Sequence, residues 1–194
     1  AHDTSYWASQ ISFDCESETR LKVTAKIDSL PIATAGGSTT ICTDSSATVS
    51  GATAKYGTIL WAENGAGSLT GATTLTPTYT STTADAGKTV TLTMTVTSNN
   101  TCVDSSATAT YTIKVDSIPV ATAGGSTTIC VDSSATVSGA TAENGTIEWT
   151  ENGAGSLVNE TTLTPTYTSE AADAGKTVTL TMTVTSNCGS QTAT

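Results

Sequence analysis

In Lys88-Thr89-Val90-Thr91-Leu92-Thr93-Met94-Thr95-Val96-Thr97, threonine alternates from Thr89 onward with an aliphatic or thioether side chain. Val90, Leu92, Met94 and Val96 fall on one face and the threonines on the other, the period of two that a half-buried strand requires. The stretch from Ser105 to Val115 alternates the same way through Ala107, Ala109, Tyr111, Ile113 and Val115, and is expected to pair back across a tight Asn99-Asn100 hairpin. Shorter candidate strands lie at Ser46–Ser50 and Gly57–Ala62, with turn signals at Asn64-Gly65 and Asp85-Ala86-Gly87.

These pieces recur. Residues 31–99 reappear at 119–187 with an offset of 88, and 58 of the 69 positions are identical. Roughly seven short strands in about 85 residues read as an immunoglobulin-like sandwich. The fold class is therefore all-β, with immunoglobulin-like sandwiches in a linear array.

The differences between the copies test that reading from inside the chain. Leu60 becomes Glu148 and Ala62 becomes Thr150, two residues apart on one strand. A buried face does not accept an unpaired carboxylate, so this face meets solvent. The opposite face, Ile59 and Trp61, is the core face, and both residues are kept as Ile147 and Trp149. Most of the remaining changes cluster at 55–56, 70–72 and 82–83, where loops are expected. On this alternation Trp61 and Trp149 are core residues and not sugar-stacking platforms.

The composition agrees. Threonine makes up about a quarter of the chain, alongside 16 glycines and a single Phe; threonine suits the outer face of strands and glycine the turns between them. A formal charge of −10, from 7 Lys+Arg against 17 Asp+Glu, repels phosphate backbones and argues against nucleic-acid binding. No apolar run approaches the ~18 residues of a membrane span. Ala1 reads as a mid-protein residue, so an export signal is expected outside this window.

Before the first repeat, Tyr6-Trp7-Ala8, Cys15 and the strand-like Arg20–Ile27 read as the last two strands of a preceding, divergent domain. Gly189–Thr194 reads as the start of a final strand. The expected organisation is residues 1–28 as the end of one domain, 29–116 as one repeat and 117–194 as the next.

Aligning the repeats assigns the five cysteines: Cys42 to Cys102 and Cys130 to Cys188, one clamp per repeat, with Cys15 paired outside the window. A metal site is a poor alternative, since there is no CxxC and the only histidine is His2. Disulfides imply an extracellular or periplasmic location.

The run Ala47-Thr48-Val49-Ser50-Gly51-Ala52, Gly57-Thr58-Ile59 with Trp61, Asn64-Gly65-Ala66-Gly67-Ser68-Leu69, Leu75-Thr76-Pro77-Thr78-Tyr79 and Asp85-Ala86-Gly87-Lys88 resembles the PKD-like, Ig-like repeats of very large Bacteroidota surface proteins. The resemblance covers both repeats. It implies cell-surface proteins exported by the type IX route that act as adhesins, gliding-associated filaments or spacers in secreted enzymes. In that group Asp followed by Ser or Thr and an aliphatic residue is an O-glycosylation signal, which Asp28-Ser29-Leu30 and Asp116-Ser117-Ile118 fit. Glycans are thus expected on Ser29 and Ser117.

Little else carries chemistry. Ala35-Gly36-Gly37-Ser38 lacks the Lys and helix of a phosphate loop, and no cysteine is free for catalysis once paired. No enzyme activity and no cofactor are expected. Asp28, Asp44, Asp104, Asp116 and Asp132 are the candidates for junction calcium, but none forms a DxDxD loop. Lys88 and Lys176, candidates for isopeptide bonds, each follow an Asp-Ala-Gly turn that suggests exposure. The threonine ladder lacks the several adjacent strands an ice-binding plane needs. The expected function is a structural stalk or spacer of a secreted surface adhesin or filament. Its partners are neighbouring repeats and, through a distal domain, other surface or filament proteins or glycans. The rival is a glycan-binding or spacer module of a secreted polysaccharide-degrading enzyme.

Overall fold

The computed structural model describes residues 2–194; the side chains of His2 and Asp3 lie outside the description, and with them the one histidine. Among the described residues the regular secondary structure is strand, apart from two single-turn 3₁₀ segments, Thr83–Asp85 and Ala171–Asp173. Among the described residues no helix is long and apolar enough to cross a membrane.

The N-terminal strands form a hairpin. Strand β1 (His2–Ala8) pairs antiparallel with β4 (Leu21–Ile27), setting Tyr6 opposite Val23 and Ala8 opposite Leu21. Inside it, β2 (Ile11–Ser12) and β3 (Cys15–Glu16) close around Phe13-Asp14. Both turn residues have positive φ, +49° and +60°, as a two-residue turn matched to strand twist needs. Tyr6, Leu21, Val23 and Ile27 share one face and are all exposed. An isolated two-stranded ribbon is marginal in water.

The first repeat supplies β5 (Ile32–Thr34), β6 (Ser38–Cys42), β7 (Ser46–Thr48), β8 (Thr53–Lys55), β9 (Gly57–Glu63), β10 (Ser68–Thr70), β11 (Thr78–Thr80), β12 (Thr89–Ser98) and β13 (Ser106–Asp116). They form a three-stranded sheet in the order β10-β11-β7, a four-stranded sheet in the order β6-β13-β12-β9, and the short pair β5-β8. Two sheets of three and four strands in this order are those of an immunoglobulin-like sandwich. The alternation in β12 has the predicted effect: Val90, Leu92, Met94 and Val96 are at most 1% exposed. Trp61 faces Met94 across β9 and β12 and is buried, whereas Leu60 beside it is 60% exposed. The Leu-to-Glu difference between the copies therefore sits on the solvent face. The β12–β13 connection is not the tight Asn99-Asn100 turn. Seven residues, 99–105, separate the strands, because Cys102 opens a turn of its own there.

The second repeat supplies β14 (Val120–Thr122), β15 (Ser134–Thr136), β16 (Thr141–Glu143), β17 (Thr146–Glu151), β18 (Ser156–Val158), β19 (Thr166–Thr168), β20 (Leu180–Ser186) and β21 (Gly189–Ala193). Sheets run β15-β19-β18 and β17-β20-β21, with β14-β16 as a pair. Trp149, Met182, Val184 and Ala140 form its buried cluster, packed by Ile147, Leu157 and Leu180. Ser-Thr-Thr-Ile-Cys forms strand β6 in the first copy, yet the same five residues at 126–130 form none in the second.

By compactness the chain falls into two units. The first takes the chain up to Thr39, Ser46–Thr80 and Thr89–Ile113; the second takes Thr40–Ser45, Ser81–Lys88 and Lys114–Thr194. Two short segments of the first repeat, including Cys42, thus belong to the second unit.

Candidate functional site

The cysteines define the most ordered chemistry in the chain. Three of them open the same turn: Cys42-Thr43-Asp44-Ser45, Cys102-Val103-Asp104-Ser105 and Cys130-Val131-Asp132-Ser133. In each, the serine amide donates to the cysteine carbonyl at 3.3 Å. Asp44, Asp104 and Asp132 take positive φ, +58°, +63° and +59°, a region Asp tolerates better than most side chains. These three aspartates, candidates for calcium, serve the fold as turn residues. Among the described residues no three of His, Cys, Asp or Glu gather in one place.

Cys42 and Cys130 share a second support. The Ser81 hydroxyl, 2% exposed, donates to the carbonyls of Cys42 and Ser45 at 3.1 and 3.0 Å; Ser169, 6% exposed, does the same for Cys130 and Ser133 at 3.0 and 3.1 Å. Each pinned cysteine therefore presents its thiol from a fixed backbone.

The structure corrects the expected pairing. Cys42 is bonded to Cys188, S–S 2.08 Å and Cα–Cα 5.5 Å, across a sequence separation of 146. Cys15, Cys102 and Cys130 are free thiols, so neither Cys42–Cys102 nor Cys130–Cys188 exists. The reason lies in strand geometry. Thr43 donates to the Asp116 carbonyl at 3.1 Å, which fixes Cys42 at the Asp116 end of β13. Cys102 precedes Ser106, at the other end of the same strand. Eleven extended residues at ~3.3 Å per step separate those ends by about 33 Å, and a disulfide needs Cα atoms within about 7 Å. Cys188 stands near Asp116 instead: its Sγ lies 3.7 Å from the same carbonyl. Cys15 is exposed on β3.

Asp28 and Asp116 are equivalent positions, 88 apart, and each carbonyl has a cysteine Sγ against it: Cys102 at 3.6 Å from Asp28, Cys188 at 3.7 Å from Asp116. Each carboxylate pairs with the lysine two residues before it, Lys26 at 3.2 Å and Lys114 at 2.7 Å. The Thr101 hydroxyl and amide also donate to Asp28, at 2.6 and 3.2 Å. The hydroxyl is the main reason, ahead of the amide and Lys26, that the Asp28 carboxyl is held below the ordinary carboxylate range. Ser29 and Ser117 follow these aspartates and are half-buried, while Leu30 and Ile118 are exposed.

The second repeat also holds a buried polar lock. The Tyr167 hydroxyl donates to Asp173 Oδ2 at 2.7 Å and accepts from the Gly155 amide at 2.9 Å. Asp173 further accepts from Ala154 and Glu170 amides at 2.8 and 3.1 Å. Tyr167 foremost, then these amides, holds the Asp173 carboxyl below its ordinary range; burial, then Asp173, pushes the tyrosine up. In the first repeat the Gly67 amide donates to the Tyr79 hydroxyl at 2.9 Å, and the Thr82 amide to Asp85 at 3.1 Å. Gly153 and Gly155 are required by close approach: a Cβ on Gly155 would stand 2.0 Å from the Thr168 carbonyl. Trp61 and Trp149 are buried, and their indole N–H groups donate to the Thr74 and Thr162 carbonyls, each at 2.9 Å.

The sequence reading missed the lock, because Asp173 looked like one more turn aspartate. It also missed a visible signal. Cys102-Val103-Asp104-Ser105-Ser106-Ala107-Thr108 is identical to Cys130–Thr136, so Cys102 begins the same turn as Cys130 and is not its complement.

No family model matches the chain, and no curated protein matches it. Among solved structures it is similar to Drosophila OTK extracellular domains 3–5, with a TM-score of 0.47 and 12% identity over 91% of this chain and 66% of that one. It is also similar to titin A168169, with a TM-score of 0.37 and 11% identity over 84% and 95% of the two chains. A chimeric titin Z1Z2 carrying an exogenous decorin peptide gives 0.33 and 13% over 84% and 93%. The chain spans just under two thirds of the OTK fragment's length.

Proposed function

We propose that this chain is a load-bearing spacer from a secreted surface protein, an adhesin stalk or extracellular filament of the kind its repeat motifs resemble, and that it performs no catalysis. Within such a protein, glycans on the half-buried Ser29 and Ser117 would shield the segments that precede Pro31 and Pro119. A distal region would bind the partner.

The observation that supports this reading is the Cys42–Cys188 bond. Tension applied at the two ends of the chain crosses from Cys42 to Cys188 through that bond, and the residues between them carry none of it covalently. Unfolding a sequence separation of 146 would otherwise release ~500 Å of contour at ~3.4 Å per residue. A bond of this kind persists in oxidising compartments, where surface proteins work.

Single-molecule pulling from the two termini tests it. Without reductant, extension is limited to residues outside the bridge; with reductant, about 500 Å appears in addition. Equal extension in the two conditions would remove the mechanical role.

A further inference from the structure

The Cys42–Cys188 bond joins a particular pair of positions. Cys42 is the cysteine of the first repeat pinned by a buried serine, Ser81. Cys188 is the cysteine of the second repeat that stands against an aspartate carbonyl, Asp116. The two remaining repeat cysteines match them: Cys130 is the position of Cys42 shifted by 88, and Cys102, though 86 and not 88 before Cys188 in sequence, takes the same place against the equivalent aspartate carbonyl. Cys130 is the pinned one, held by Ser169 at 3.0 Å, and Cys102 is the one against the Asp28 carbonyl at 3.6 Å. Both are free thiols; Cys130 is exposed and Cys102 half-buried. The two halves of the observed bond are thus present a second time, each with its own support.

From this we infer that Cys102 and Cys130 are the two half-sites of a cross-repeat disulfide to a further copy of this repeat, so that Cys130 of one copy bonds Cys102 of the next as Cys42 bonds Cys188. This goes beyond the spacer reading, since it holds whether or not the chain carries a binding tip.

The bond forms by two thiol–disulfide exchanges with a small disulfide such as oxidised glutathione. The Cys130 thiolate attacks it and expels one glutathione thiolate. The Cys102 thiolate of the second copy then attacks the mixed disulfide and expels the other. Two protein thiols are oxidised, one glutathione disulfide is reduced to two thiols, and the protons of the protein thiols end on those two.

The test uses this chain as its own partner, with Cys15→Ser to silence the third thiol. The protein is equilibrated in a glutathione buffer over rising protein concentration, separated without reductant, and digested for linked peptides. The expected result is a concentration-dependent ladder in which the Cys102 peptide is joined to the Cys130 peptide and Cys42–Cys188 is kept at every rung. Cys102→Ser or Cys130→Ser alone should lose the ladder, while an equimolar mixture of the two should stop at a dimer. Because Cys102 is half-buried between two long strands, its replacement can disturb the fold. Alkylating the exposed Cys130 of the otherwise native Cys15→Ser protein therefore serves as the second route to the same loss. A monomer at every concentration, Cys102 and Cys130 linked to themselves as often as to each other, or recovery of Cys42–Cys102 would each overturn the inference.

Discussion

Replacing Trp149 with Phe isolates what the second repeat's central strand contributes. Trp149 is 3% exposed, faces Met182 across β17 and β20, and belongs to the cluster with Val184 and Ala140. Phe keeps most of the apolar contact but removes the indole N–H that donates to the Thr162 carbonyl at 2.9 Å, leaving that acceptor unpaired at about 1–3 kcal/mol. Part of the indole volume becomes a void as well, so the expected total is about 2–3 kcal/mol; Trp149→Ala should approach 3–5 kcal/mol. The neighbouring residue is the control. Glu148 occupies the exposed position that Leu60 holds in the first copy, so Glu148→Leu and Leu60→Glu should each stay within about 0.5 kcal/mol. Urea unfolding followed by far-ultraviolet circular dichroism reads this. With a slope near 1 kcal/mol/M for one small unit, Trp149→Phe moves that unit's midpoint by about 2–3 M and the control by less than about 0.5 M. In a Trp7→Phe background the Trp149→Phe protein keeps Trp61 as its one tryptophan, whose fluorescence follows the first repeat and should not shift. A neutral Trp149→Phe, or a Leu60→Glu costing about 2 kcal/mol or more, would refute the assignment of faces from which the sandwich was read.

Gly155→Ala places a Cβ 2.0 Å from the Thr168 carbonyl and 2.7 Å from the Tyr167 hydroxyl, so backbone must move, at about 1–3 kcal/mol in the same unfolding assay. Asp173 should dominate the acid limb of that unit. Its folded carboxyl titrates below the ordinary value of 3.8, so its contribution is complete above that value and is lost as pH falls through the lower folded one. Wild-type midpoints should therefore fall more steeply below about pH 4 than those of Asp173→Asn. Tyr167→Phe removes the foremost cause of that depression and should move the Asp173 carboxyl titration, followed by NMR, toward the ordinary range. Ser169→Ala, which strips the support from the Cys130 and Ser133 carbonyls, should speed alkylation of Cys130 relative to Cys15.

The all-β class and the faces of β9 and β12 were legible because they rest on period, and period is local. Leu60 and Glu148 alone separate the wet face from the dry one. The disulfide was not legible, because partner choice depends on which end of β13 each cysteine reaches. Spacing within one repeat carries no information about that. The echo of Cys102–Thr108 at Cys130–Thr136 would have warned that Cys102 starts a turn and does not complete a clamp.

On the load-bearing reading proposed above, the cross-repeat bond serves to limit extension more than to add stability. In the chain-entropy model the benefit of a disulfide grows with the logarithm of loop length. A separation of 146 therefore exceeds the 60 between Cys42 and Cys102 by only about 0.8 kcal/mol. The contour withheld from tension grows linearly. One bond over 146 residues hides about 500 Å, whereas two within-repeat bonds, over 60 and 58 residues, would hide about 400 Å between them. A single bond thus protects more chain than two would, and it leaves Cys102 and Cys130 uncommitted. A chain selected for thermal stability of isolated sandwiches gains little from that arrangement. A chain that must not lengthen under load gains at every repeat to which the two free thiols extend it.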